Sequence, residues 1–537
     1  MFKLIPGALG LLLVGTVSAQ QFQHAYGTPQ TDMLIDVTNL SSGGFMVAGF
    51  SNGGPFAGTS GLIMKLDDLG NVDWSKSVGG AGMDNLSDIL EGTDGRLWIG
   101  GSTSTGTNGT PSALIGQLEP DGTPVWFRTL GTNGEEQLRK MAFAANGDVL
   151  LTGLSRSVDA SYDIFVARLN GEGDLLWNAV FGSSEYEVPL GIAEGLDGSI
   201  YVWAHQDGES TQNYDALLLK LDAAGNLALS KRYAMALNEL AWDILVLPNG
   251  DLLLSGDTNS SGAGMNDAFV MRTDTNGNIV WSKTFGAQSN EHGMNLVHTK
   301  NDNYALVGAS SSFGQGGLDF MTLHFNEAGS IKYVQAYGGE IKDVAHGAVR
   351  TPDSGLLMVG ESRSYGPGLM NGFAIRVDQD GLNACNTATA SNFQAIDAGM
   401  TVVEGNIEWK GDNLALVASE GISIADSPAT REAVCSSAAP EIGSNPESNG
   451  FENAEVAERM RLRPNPSNGT QVRAEIVVSE SHIAMIEVFN LAGRKIAEEL
   501  AGGAGIREIV LPPLARGIYL VRYTNGTSMD TQKLIIE

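Results

Sequence analysis

Basic residues are scarce in this 537-residue chain: 32 Lys and Arg stand against 62 Asp and Glu, a formal charge of −30. Nucleic acid and anionic membrane surfaces would repel it, so neither is expected as a partner. No stretch beyond the N-terminus approaches the roughly 18 apolar residues that a membrane-spanning helix needs. The seven histidines show no HExxH or other ligand spacing, the two cysteines form no CxxC, and there is no GxSxG or phosphate-binding loop. The familiar signatures of zinc, serine-hydrolase and nucleotide chemistry are therefore missing. What the chain has in abundance is glycine, 69 residues beside 42% hydrophobic residues, the composition of a folded and turn-rich protein.

The first residues, "MFKLIPGALGLLLVGTVSAQ", combine Lys3, an apolar run from Leu9 to Val17 and small residues at Ser18 and Ala19. That pattern reads as a secretory signal peptide over 1–19, cleaved after Ala19, and it predicts an exported protein. Cys385 and Cys435 would then meet an oxidising compartment. A disulfide between them would stabilise the fold by roughly 4 kcal/mol through loop closure; two unpaired buried thiols are the alternative.

"DTNGNIVWSKTFG" at 274–286 repeats "LDDLGNVDWSKSVG" at 66–79 and "LNGEGDLLWNAVFG" at 169–182. The repeated position falls at Trp74, Trp126, Trp177, Leu229, Trp281 and Tyr333, preceded by Phe22 and followed by Cys385, a period of 51 or 52 residues. Each unit reads as four short strands separated by Gly, Asn and Asp turns, with no helical pattern. Four-stranded units of this length are β-propeller blades. An unaccompanied anchor strand, "FQHAYG" at 22–27, precedes the first full unit, so it is expected to complete the last blade and close a ring of seven. Gly70, Gly122, Gly173, Gly225, Gly277, Gly329 and Gly381 hold one turn position, and three residues before six of them Asp67, Asn170, Asp222, Asp274, Asn326 and Asp378 are expected to accept the turn amides. The aromatics are expected to pack between blades.

The turn differs in spacing from the Asp-box of sialidases and only partly resembles the quinoprotein motif; the unit is also similar to Bacteroidota secreted propeller repeats labelled SBBP or delta-60. Ten residues after each anchor stands an acid: Asp32, Asp84, Glu136, Glu187, Glu239, Glu291 and Asp343. These open the strand that should line the channel, so they predict a ring of carboxylates able to attract a cation, calcium being the candidate, or a positively charged ligand. The plainer reading is that each accepts backbone amides or a hydroxyl of a neighbouring blade, with no cofactor. His292 and Trp242 break the repeat near these strands and are weaker ligand candidates, and His324, which replaces Lys or Arg of other blades, reads as a surface substitution.

After Cys435 the composition turns to Ser, Pro, Asn and Glu, a linker over 436–459. The order PNPxxG (Pro464, Asn465, Pro466, Gly469), "VFNLAGRKI" with Gly493, "LARGIYLVRY" with Gly517 and Tyr519, and a terminal "KLII" resembles the type A C-terminal sorting domain of the type IX (Por) secretion system. The resemblance implies an Ig-like β-sandwich over 460–537, export by the type IX machinery, and removal by a sortase with surface attachment or release. The organisation read from the sequence is thus all-β: signal peptide 1–19, seven-bladed propeller 20–384, β-rich extension 385–435, linker, and sorting domain. The expected role is a monomeric, non-catalytic binder of an extracellular protein or glycan. The alternative is an extracellular propeller hydrolase or lyase acting on polysaccharide or peptide through channel carboxylates.

Overall fold

The computed structural model describes residues 21–436, apart from 108, 133, 159–160, 208–212, 301–302, 384–386, 391, 413 and 420, and the strands within 460–536. It divides into two compact units, 1–440 and 441–537. Every regular element among the described residues is a β-strand.

The first unit is a propeller of seven sheets. Blade 1 comprises Asp32–Asn39, Phe45–Ser51, Ser60–Leu66 and Val72–Gly79 in antiparallel order, and the pattern recurs to blade 7. Phe22–Gly27 pairs with Asn371–Val377, so the N-terminal strand completes blade 7, as the unaccompanied anchor strand predicted. The second and third strands of each blade are almost wholly buried (BBBBBBB along Leu97–Thr103 and Ser112–Leu118), because each sheet is covered by a blade on either side.

The repeated turn is the joint between blades. Asp67 Oδ1 accepts the amides of Leu69 and Asn71, both at 2.8 Å, and Asp222, Asp274 and Asp378 do the same in their blades. The turn glycine adopts positive φ, +86° at Gly225, and in every blade but one lies against the aromatic anchor of the preceding blade; Gly277 instead meets Tyr233 and Lys231. The anchor tryptophans therefore pack, and the glycine leaves them room.

The segment after the seventh repeat does something the sequence reading did not anticipate. Its short strands Thr387–Thr389, Gln394–Asp397, Thr401–Glu404, Glu408–Gly411, Ala415–Ala418, Ser423–Asp426 and Thr430–Ser436 each add a fifth strand to one blade. They take blades 6, 5, 4, 3, 2, 1 and 7 in turn, so the chain circles the propeller as a belt and covers every outer edge. Phe393, Met400, Ile407, Leu414, Ile422 and Ala429 recur every seven residues, once eight, and each enters an apolar cluster between blades. This period was legible but sits below the 51-residue one. Covering seven edges removes seven templates for strand-to-strand aggregation.

The second unit holds two antiparallel sheets. One comprises Met460–Arg463, Arg473–Val478 and Gly505–Val510; the other Lys495–Ala501, Ala484–Asn490, Gly517–Asn525 and Ser528–Ile536. Ile486, Val488, Val521, Leu534 and Ile536 are buried, the alternation expected when one face of a sheet is covered. Gly517 opens a strand and Tyr519 is buried two residues on. Pro464, Asn465, Pro466, Gly469, Gly493 and the signal peptide lie outside the described residues.

Candidate functional site

The seven ring acids open the seven innermost strands, so they share one end of the channel wall. All are at most 1% exposed. Each accepts the amide four residues upstream, from Thr28, Gly80, Thr132, Ser183, Met235, Ala287 and Gly339, at 2.6–3.3 Å. Most also accept a side chain nineteen residues downstream: Thr103, Ser155, Thr258 or Ser310, or the Gln206 amide. These bonds fasten the turn that enters each inner strand. Burial pushes Glu187 up to about 7, helped by the charge of Asp163.

Three residues beyond each ring acid the pairing register slips, a β-bulge present in every blade. A bulge re-aims its side chain, and here Ile35, Ser87, Arg139, Leu190, Trp242, Met294 and His346 line a cavity of about 120 Å³ in the channel. No two of these seven are alike.

The next residue of each strand builds the wall. Lys140 Nζ lies 3.3 Å from Asp36 Oδ1 and 3.1 Å from Asp88 Oδ1. Asp36 accepts the amide of Ile89 at 3.1 Å, Asp88 that of Met141, and Asp243 that of Leu296 at 2.8 Å, so these carboxylates stitch one blade to the next. Burial drives Asp88 well above the carboxylate range, against Lys140, with Asp36 adding to the rise. Burial also opposes ionisation of Asp36, but Lys140, Asp88 and main-chain amides outweigh it and hold Asp36 low. Lys140 keeps its proton because Asp36, Asp88 and Asp243 overcome the cost of burial.

Two lining groups have no such balance. The Nε of Arg139 and the Nε2 of His346 are buried without a hydrogen-bond partner among the described residues. Burial lowers the pKa of Arg139, and it lowers His346 to about 4, leaving that imidazole neutral.

Trp242 and His292, the two repeat-breaking residues, converge on the buried Asp257. The indole donates to its Oδ2 at 2.9 Å, and His292 Nδ1 lies 2.8 Å from the same oxygen. Burial disfavours the imidazolium, but the bond and charge of Asp257 raise it above its ordinary value. His324 is a correction: it is 5% exposed, not a surface group, and stacks on Tyr333 at 4.2 Å in the interior of blade 6. Arg139, His346 and Lys140 are not singled out by any motif; a register count from each ring acid, allowing a bulge, would have found all three. Among the described residues no group of three or more His, Cys, Asp or Glu is placed to hold a metal.

The chain is thus an all-β protein made of a seven-bladed propeller and a separate C-terminal β-unit. Residues 461–537 match the family described as the secretion system C-terminal sorting domain, which marks the chain for export by the type IX system, as a secreted or cell-surface protein. Regulatory protein FlaEY of Caulobacter vibrioides is 23% identical over 381 residues, covering 65% of this chain; the chain spans only 37% of that relative. Similar solved structures include the α-L-arabinofuranosidase Arb93A of Fusarium graminearum (12% identity, TM-score 0.36, 54% of this chain and 92% of that one). Another is the family 43 glycoside hydrolase YxiA of Bacillus licheniformis (11%, 0.24, 66% and 98%). Among the described residues no helix is long and apolar enough to cross a membrane.

Proposed function

We propose that this is a recognition propeller that binds, without turning over, the carboxylate-bearing end of an extracellular glycan or protein at the channel constriction. The observation that carries the reading is the half-buried Arg139, whose Nε is buried and unpartnered among the described residues and which, with Trp242 and His346, lines the channel cavity. A guanidinium without an internal carboxylate suits an external one, and an indole wall suits a sugar face or an apolar side chain. The channel carboxylates argue for binding rather than catalysis, since Asp36, Asp88 and Asp243 are already committed to Lys140 and to main-chain amides. Export would proceed through the signal peptide at 1–19, followed by sortase processing of the tail and display or release as a monomer.

The proposal extends to the belt. Asn383 Nδ2 donates to Phe22 O at 3.2 Å, and Phe22 pairs with Ser436, so the two ends of the belt meet at one strand. A Cys385–Cys435 disulfide would close it; Cys385 lies outside the described residues.

One observation favours the rival hydrolase or lyase: Asp36 is held low while Asp88 is pushed high, the split an acid–base pair requires. A glycan and peptide array run beside a polysaccharide and peptide substrate panel separates the two. Binding without products supports recognition, and products that vanish in Asp88→Asn support the enzyme.

A further inference from the structure

Each ring acid faces the start of the third strand in the preceding blade, the first residue or, for Asp215, the second, and the seven junctions differ in how they manage charge. At three of them the facing residue is neutral: Ser60, Ser112 and Asn371. At two it is an aspartate beside a cation of the chain. Lys410, from the belt, lies 3.0 Å from Asp163 Oδ1 and also donates to the carbonyl of Ser183, while Arg232 lies 3.4 Å from Asp215. At the junction of blades 5 and 6, Asp267 accepts the amides of Ala263 and Gly264, and Glu291 accepts Ala287 N and Ser310 Oγ, so all four oxygens are engaged.

The junction of blades 6 and 7 has none of these solutions. Asp319 and Asp343 are both fully buried. Asp319 Oδ2 accepts Gln315 N at 2.7 Å, and Asp343 Oδ2 accepts Gly339 N and Ser364 Oγ, each at 2.8 Å. The Oδ1 atoms of both have no hydrogen-bond partner, and among the described residues no Lys or Arg forms an ion pair with either carboxylate. Both groups converge on the open face of Gly338, where an added Cβ would collide with Asp319 Oδ1 and lie 2.8 Å from Asp343 Oδ2. Two buried carboxylates at such range repel strongly unless a positive charge joins them.

We propose that Asp319 and Asp343 bind a calcium ion at the junction of blades 6 and 7, in the role that Lys410 fills for Asp163. The donors are all oxygen and the two carboxylates carry the charge that a divalent ion neutralises, which is the chemistry of calcium rather than of a thiophilic metal. Two side chains are fewer than calcium's six to eight ligands, so main-chain carbonyls and water would complete the shell. Affinity of the kind seen in extracellular modules, roughly 10⁻⁴–10⁻³ M, is expected.

The test uses the full chain dialysed against chelator. Terbium is the probe, because Tyr365 donates its hydroxyl to Gly338 O at 3.1 Å and would sensitise a lanthanide held there. The expected result is saturable terbium luminescence that calcium displaces, with a melting temperature several degrees higher in millimolar calcium than in chelator. Both effects should vanish in Asp319→Asn and Asp343→Asn and persist in Asp267→Asn. The fold accepts the first change, since Asn371 occupies the equivalent place in blade 7. Luminescence retained in both asparagine variants would overturn the proposal. So would a wild-type melting temperature that ignores calcium but rises on acidification, which would mean the pair shares a proton instead.

Discussion

Gly225 lies over the indole of Trp177, one blade back: a Cβ on this glycine would stand 2.8 Å from Cε3 of the ring. Its φ of +86° is one that side chains disfavour. Gly225→Ala should therefore cost about 2–4 kcal/mol, combining backbone strain with overpacking. Gly171→Ala, in the neighbouring turn with nothing within 4 Å, should be nearly neutral. Guanidinium midpoints of the two variants check this.

The propeller was legible because that joint must be rebuilt at every blade: the turn Asp, the Gly and the aromatic recur at fixed spacing, and Phe22 standing alone disclosed the closure. The channel was not. The ring acids identify the inner strands, but strict alternation misplaces everything beyond the bulge, so Arg139 and His346 could not be assigned a face. The belt escaped notice because its short strands bury none of their own described residues, the apolar anchor standing just before the strand, Ile407 or Leu414 for example, so no strand pattern stands out.

The belt is predicted to be held by those anchors. Ile407→Ala, at a 6% exposed position, should cost about 2–4 kcal/mol. Trp409→Ala on the strand that follows it, 58% exposed, should change stability by less than about 0.5 kcal/mol. If the proposed Cys385–Cys435 disulfide closes the belt, Cys435→Ser should cost about 4 kcal/mol through loop closure and expose 386–434 to limited proteolysis; an unchanged stability would show that no such bond forms.

Glu187 sets a pH dependence. Its folded pKa, about 7, lies above its ordinary value of 4.5, so the folded state holds the proton more tightly than the unfolded chain. Its stabilising effect is complete below about pH 4.5 and is lost as pH rises through about 7, a fall of roughly 3 kcal/mol. Glu187→Gln should flatten that part of the stability–pH curve, measured by denaturant unfolding from pH 5 to about 8. An unchanged slope would show that the proton is not held there.

Lys140→Met would leave Asp36, Asp88 and Asp243 in the channel wall without their cation. The expected cost is about 3–5 kcal/mol, read as a lowered melting temperature that recovers partly when pH is reduced and Asp36 takes a proton.

The central claim is that the channel constriction recognises a carboxylate through Arg139. The direct measurement is calorimetric titration of wild type, Arg139→Ala and Trp242→Ala with the tightest carboxylate-bearing compound from the array, and with its amide. The account predicts that Arg139→Ala keeps the wild-type melting temperature while Trp242→Ala lowers it, because Asp257 loses the indole donor; that each binds at least about tenfold more weakly, a loss of 1.4 kcal/mol or more; and that the amide binds poorly to all three. Equal affinity of wild type and Arg139→Ala, or equal binding of acid and amide, would contradict it.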